Sequence, residues 1–276
     1  MISVLQLGTQ EYATALALQR KLVDLRKANQ IGDTLLLLEH PPVITLGRNA
    51  QSANILASPE SLAQCGVEVV ECDRGGDVTL HAPGQLVGYP IFGLRAFTNP
   101  EGERKTLGAI EFVRKMEEAL TRTCADFRIP ATRIPKLTGV WTRPANPEAA
   151  QAKIAAIGIH ISRAVTSHGF ALNVNTDLSL FQLIIPCGLT QPVTSMQQEL
   201  GESIPLDRVA ESITRNFGHV FSRQILWLES LDALLKIDDG KIDDGKMKDS
   251  GTNLGVPARP PANVRKLRGE DENFWA

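Results

Sequence analysis

Apolar residues along this chain switch between two periods, and the switches mark its elements. Val4, Leu5 and Leu7 predict a short strand, after which Ala15, Leu18, Leu22 and Leu25 recur at three- and four-residue steps, predicting an amphipathic helix over roughly residues 10–28. The apolar run 34–38 predicts a buried strand; Pro41-Pro42 breaks it and Val43–Leu46 resumes extended structure. Further strands are expected at 67–70 and 86–94. Leu107, Ile110, Val113, Met116, Leu120, Cys124 and Phe127 then fall on one stripe of a long helix, which places Cys124 in the core. Past Pro130 the pattern reads as irregular as far as Trp141, with a surface excursion at 143–152. Ile157, Ile159 and Ile161 alternate with small or polar residues, predicting a half-buried strand. Ser167-His168-Gly169 reads as a hairpin turn, with 170–174 pairing back. Leu206, Val209, Ile213, Phe217 and Val220 predict a last amphipathic helix over 206–223. Strands and helices follow one another without the regular beat of a doubly wound sheet, which favours an α+β architecture.

After Lys236 the character changes. Lys-Ile-Asp-Asp-Gly occurs twice in tandem, followed by a proline-bearing, weakly hydrophobic stretch. The expected organisation is one folded domain over residues 1–235 and a flexible low-complexity tail over 236–276. The 276 residues are 43% hydrophobic and 22% charged, an ordinary globular composition. A net charge of −2 gives no footprint of a nucleic-acid binder or a polybasic membrane anchor. Cys65, Cys72, Cys124 and Cys187 show neither zinc-site spacing nor a disulfide framework, and the five histidines are too dispersed to suggest a metal site. The start of the chain lacks a basic region followed by an apolar core, so no signal peptide is expected and the cytoplasm is the expected compartment.

Candidate chemistry gathers in three clusters. Cys187 lies between Pro186 and Gly188, residues that suit a tight turn presenting a thiol together with backbone N–H groups. Lys153 opens an apolar stretch upstream, and an ammonium beside a thiol favours the reactive thiolate. By spacing alone the alternative, a buried structural thiol and a surface lysine, stands beside this reading. The run Arg74-Gly75-Gly76-Asp77-Val78-Thr79-Leu80-His81 joins a forked donor to two glycines that let backbone approach a ligand. Arg74 reads as a ligand contact or as a salt-bridge residue at a turn. His81 reads as a donor to a developing oxyanion or as a structural histidine. Asn173 and Asn175 either orient a substrate or cap turns.

Taken together, RGGxxTxHxPGQ from Arg74, GVW at Gly139–Trp141, KIAAIG from Lys153, GFALNVN from Gly169 and PCG at 186–188 resemble the lipoyl(octanoyl) transferases. The resemblance spans roughly residues 35–196. It implies the fold shared by biotin and lipoate protein ligases: one α+β domain with a mixed, largely antiparallel sheet packed by helices. It also implies octanoyl transfer from octanoyl-acyl carrier protein, through a thioester on Cys187, to a lysine of lipoyl domains of 2-oxoacid dehydrogenase E2 subunits and the glycine cleavage H protein. Lys153 is then the catalytic partner of Cys187. The residues 74–81, with Ala156, Ile157, Gly158, Gly169, Phe170 and Ala171, bind substrate. No cofactor, metal, nucleic acid or membrane is implied, and a monomer is expected. Gly158, Gly169 and Ala171 are small enough to leave room for an eight-carbon chain, with Ile157 and Phe170 as walls. Leu80, where the family commonly has an aromatic residue, and Ala82, where it has Gly, put chain-length preference in question. The competing readings are an ATP-dependent lipoate or biotin ligase on the same scaffold and a non-catalytic acyl-carrier-binding module.

Overall fold

The computed structural model describes residues 1–98, 104–143, 150–188 and 191–236. The expected excursion at 143–152 lies largely, and the expected tail almost wholly, outside them.

The first half of the chain runs β1 (Ile2–Thr9), α1 (Tyr12–Lys27), β2 (Asp33–Glu39), β3 (Val43–Leu46), α2 (Pro59–Gln64), β4 (Glu68–Glu71), β5 (Val78–His81) and β6 (Gln85–Ile91). After a short pair, β7 (Phe97–Thr98) and β8 (Arg104–Lys105), come α3 (Ala109–Asp126), β9 (Ala131–Ile134), β10 (Leu137–Thr142), β11 (Lys153–Ser162) and β12 (Val165–Asn173). The chain then adds α4 (Met196–Leu200), α5 (Leu206–Phe221), β13 (Ile225–Trp227) and α6 (Leu231–Lys236). Eight strands form one sheet in the order β13-β1-β2-β6-β12-β11-β10-β9, and β4-β3-β5 form a second, smaller one. In the large sheet β1 runs parallel to β13 and β2, and every other pairing is antiparallel, so the sheet is mixed and largely antiparallel as expected.

The two faces of the large sheet carry different cores because alternate residues of each strand point opposite ways. One face buries Leu35, Leu37, Leu86 and Leu172 under α3 and α5, where Phe92 packs edge to face on Phe112, Phe217 and Phe221, and Phe217 stacks on Phe221. The other buries Leu36, Leu38 and Val87 under α1. The small sheet has its own core of Ile44, Leu62, Val78, Leu80, Ala82 and Ile184. Helix α2 starts where Ser58 caps it, its hydroxyl accepting from the Ser61 amide at 3.3 Å, with Pro59 in the first turn.

Two expectations are corrected. The hairpin turn between β11 and β12 is Arg163-Ala164, both left-handed at φ 50° and 63°, whereas Ser167–Gly169 lies inside β12, opposite Gly158, Ile159 and His160. Neither Arg nor Ala signals such a turn, and Gly169 serves close packing instead. The stretch 130–141 contains β9 and β10, joined by Pro135-Lys136 with Lys136 at φ 68°, a turn with Pro first and a left-handed residue second. Helix α2 and strand β5 were also not foreseen; β5 lies within the polar run Arg74–Gln85.

Candidate active site

Lys153 begins β11 at an irregularity. Val140 pairs with Ala155 and Trp141 with Lys153, so β11 carries one residue more than β10 between the two pairs, a β-bulge. The far side of Lys153 is held by the chain after the Cys187 turn: its amide donates to the Pro192 carbonyl at 2.8 Å, and its carbonyl accepts from the Thr194 amide at 3.0 Å. The side chain is 6% exposed, and its ammonium lies 4.8 Å from the centre of the Trp141 ring. Lys153 lines a small cavity with Thr79, Gln85, Ala156, Ala171, Asn173 and Pro186.

Residues 186–188 form a single 3₁₀ turn, with Gly188 at φ 65°. The small sheet suspends this turn. Ile185 donates to the Asn54 carbonyl at 2.8 Å, and Asn54 Nδ2 donates to Asp77 Oδ2 at 2.5 Å. The Asp77 carboxylate also accepts from the Gln51 amide at 2.9 Å, and a Cβ on Gly188 would sit 3.2 Å from it. The backbone of Cys187 therefore stands beside Pro186, which shares a cavity with Lys153; the Cys187 side chain lies outside what is described. Asp77, expected at the ligand, has its oxygens committed to this loop.

A second cavity, partly open to solvent, shares Thr79, Ala156 and Ala171 with the first. Arg74, Gly75, Gly76, Thr79, His81, Ala156, Ile157, Gly158, Gly169, Phe170 and Ala171 line it, so most of the expected substrate-binding residues come together. Val78 and Leu80 do not: alternation in β5 turns them into the small core, so Leu80 is no wall of the cavity. Arg74 acts largely as a brace. Its Nε donates to Thr45 Oγ1 at 3.1 Å, its Nη2 to Thr45 Oγ1 at 2.9 Å and its Nη1 to the Gly75 carbonyl at 3.1 Å. Gly158 and Gly169 are small because backbone crowds them: a Cβ would meet the Gly75 carbonyl oxygen at 2.7 Å and the Gly88 carbonyl oxygen at 2.1 Å, respectively.

Several lining or adjoining groups belong to none of the sequence motifs. Both of the chain's two tyrosines, Tyr12 and Tyr89, line the larger cavity, and their scarcity was the available signal. His40 donates through Nδ1 to the Gln10 carbonyl at 2.7 Å, leaving Nε2 to accept from the Tyr89 hydroxyl at 2.7 Å. His168 lines the cavity and bonds through Nε2 to Asp73 at 2.7 Å. Burial pushes the Asp73 carboxyl up, but the hydrogen bond and charge of His168 outweigh it and hold the group below its ordinary range.

The state of His81 follows from its neighbours. Asn173 Nδ2 donates to the Thr194 carbonyl at 2.9 Å, so its oxygen faces Gln85 Nε2, which donates to it at 2.8 Å and to the Leu80 carbonyl at 3.3 Å. Gln85 Oε1 is then left to accept from His81 Nδ1 at 2.8 Å. Burial depresses the ring to about 3, so it stays neutral with its proton on Nδ1. Its Nε2 offers a lone pair, which corrects the reading of His81 as an oxyanion donor. Asn173 orients this network. Asn175 ties the chain to Ile204, donating to its carbonyl at 2.7 Å and accepting from its amide at 2.9 Å. Among the described residues no group of three or more His, Cys, Asp or Glu side chains is placed to hold a metal ion. No helix among them is long and apolar enough to cross a membrane.

A family model, the lipoyl protein ligase A/B catalytic domain, matches residues 11–218. The chain belongs to this family. Its relatives include an octanoyltransferase of Koribacter versatilis, 58% identical over 272 residues that cover 98% of each chain. An octanoyltransferase of Acidobacterium capsulatum is 56% identical over 238 residues, 85% of this chain and 96% of the relative. Kinship of this order makes the chain an acyltransferase. Among solved structures, a bipartite lipoate protein ligase from Thermoplasma acidophilum has a TM-score of 0.60 over 87% of this chain and 93% of that one, at 18% identity. A lipoate-protein ligase A bound with ATP has a TM-score of 0.60 over 87% and 96%, at 16% identity. These likenesses concern the fold: a single mixed-sheet domain of the lipoate ligase kind.

Proposed function

We propose that this acyltransferase moves an octanoyl group from octanoyl-acyl carrier protein to the target lysine of lipoyl domains, in the cytoplasm, with Cys187 as nucleophile and Lys153 as its proton partner. The observation that carries the reading is one cavity lined by both Lys153 and Pro186, beside a mostly apolar second cavity that shares Thr79, Ala156 and Ala171 with it. In the first half-reaction the Cys187 thiolate attacks the thioester carbonyl, the carbon–sulfur bond to the carrier breaks, and the departing thiolate takes a proton from the Lys153 ammonium. In the second, the acceptor amine attacks the enzyme thioester and gives up its proton to neutral Lys153. An amide forms and Cys187 leaves as thiolate. Pro186 has no N–H and the Gly188 amide donates to the Ile185 carbonyl at 3.2 Å, which leaves the Cys187 amide for an oxyanion developing at the carbonyl; the lone pair on His81 Nε2 does not suit one. Burying the chain in the apolar cavity contributes about 0.8 kcal/mol per methylene.

Mixing the full chain with octanoyl-acyl carrier protein, quenching in acid and mapping the adduct by mass tests this. A hydroxylamine-labile octanoyl group on Cys187 is expected. An adduct elsewhere, or pyrophosphate release from free octanoate and ATP in its place, overturns the reading. In Lys153→Ala the alkylation profile of Cys187 should move to higher pH, and an unmoved profile removes Lys153 from this role.

A further inference from the structure

Among the described residues Lys153 is held by an aromatic ring rather than by an acid. Its ammonium sits over the indole of Trp141, 4.8 Å from the ring centre, and among the described residues no ion pair joins it to a carboxylate. One buried carboxylate does reach this neighbourhood, and it is already engaged. Glu117 accepts from the Gly139 amide at 3.1 Å through one oxygen and from Arg114 at 2.6 Å through the other. Gly139 in turn adjoins the lysine, since a Cβ there would lie 3.5 Å from Lys153 Cε. The indole is fully buried at 0% exposure, and its N–H has no hydrogen-bond partner among the described residues. An orphaned buried donor costs stability, and phenylalanine would avoid that cost. What tryptophan adds over phenylalanine is the more strongly negative face.

Charge explains why a ring suits this place. A carboxylate against the ammonium would cancel much of its field at a neighbouring sulfur. A ring quadrupole attracts the cation yet carries no net charge, so the whole positive charge stays available. The β-bulge between β10 and β11 makes the contact by setting Trp141 directly opposite Lys153. We infer that Trp141 is a positioning residue that holds Lys153 as a fixed cation, with its charge uncancelled, in the cavity it shares with Pro186. The inference rests on the reading of Lys153 and Cys187 as the acyl-transfer pair.

Graded fluorination tests it, because fluorine drains the face of the ring while barely changing its shape. The chain has three tryptophans. The full chain carrying Trp227→Phe and Trp275→Phe, grown on mono-, di- and trifluorinated tryptophan, alters Trp141 alone. Two rates are read at neutral pH: alkylation of Cys187 by iodoacetamide and competitive acetylation of Lys153 by acetic anhydride, each mapped by mass. Cys187 should slow by on the order of twofold per fluorine while Lys153 acetylates faster in step, with an unchanged circular dichroism spectrum. Flat rates at Lys153 across the series overturn the inference. A graded Lys153 with a flat Cys187 upholds the hold of Trp141 on the amine and overturns instead its pairing with the thiol. Trp141→Phe, which keeps a weaker face, should fall between the native chain and Trp141→Leu in both rates; a Phe variant equal to Leu counts against the ring.

Discussion

Two buried histidines make this molecule sensitive to acid. Burial depresses His40 from 6.5 to about 4 and His81 from 6.5 to about 3. In the unfolded chain both rings regain ordinary values and bind protons that the folded state refuses. Their contribution to stability is therefore complete above about pH 6.5 and is lost as pH falls toward those depressed values, at about 1.4 kcal/mol per pH unit for each ring. Urea midpoints should drop between about pH 7 and about pH 5. Midpoints that stay level would show that the rings protonate inside the fold. At this scale the sequence was legible where its motifs name residues that share one cavity, and illegible where a partner is far away in the chain. Lys153 and the Pro186–Gly188 turn could be named from the motifs. The tautomer of His81 could not, because it depends on Gln85, Asn173 and Thr194, brought together from three separate segments.

Strands β11 and β12 show how glycine works at the level of an element. Gly169 lies where the backbone of β6 comes closest, and Gly158 lies under the Arg74–Gly76 loop. Gly169→Ala drives a methyl onto a carbonyl oxygen that cannot step aside, so it should destabilise by about 1–3 kcal/mol. Gly32→Ala, with nothing within 4 Å of the added carbon, should stay within about 0.5 kcal/mol of the native chain in the same melts. Equal losses from the two would refute the packing account. The sequence hid this distinction, since the glycine of Ser167-His168-Gly169 looks like a turn residue until the opposing strand is known. The long helices were readable because each packs a single stripe. β9 and β10 were not, because their short run is interrupted by Pro135 and Gly139 rather than by a change of period.

For the molecule as a whole, the cavities lie between two sheets. The large sheet supplies Lys153, Ala156 and Ala171, and the small one Thr79 and His81. The Arg74–Gly76 loop joins the sheets: the Gly75 amide donates to the Ile159 carbonyl at 2.9 Å, while Arg74 braces Thr45 in β3. Ala156 lines both cavities, so Ala156→Leu should take up space where an acyl chain would lie. Transfer of octanoyl should fall by about tenfold or more, from a clash worth at least ~1.4 kcal/mol, and transfer of butyryl by much less. Equal losses for both chain lengths would mean the acyl group takes another path.

In the proposed acyl-transfer pair the spacing is set from two sides: by a joint of Asp77 and Asn54, which hangs the Cys187 turn beside the small sheet, and by Pro192 and Thr194, which tie the chain after that turn to Lys153 in the large one. Softening that joint, as Asp77→Ala would, should detune turnover while the walls of the channel keep their shape. Anyone re-engineering the speed of this enzyme has a handle there that leaves its choice of cargo alone.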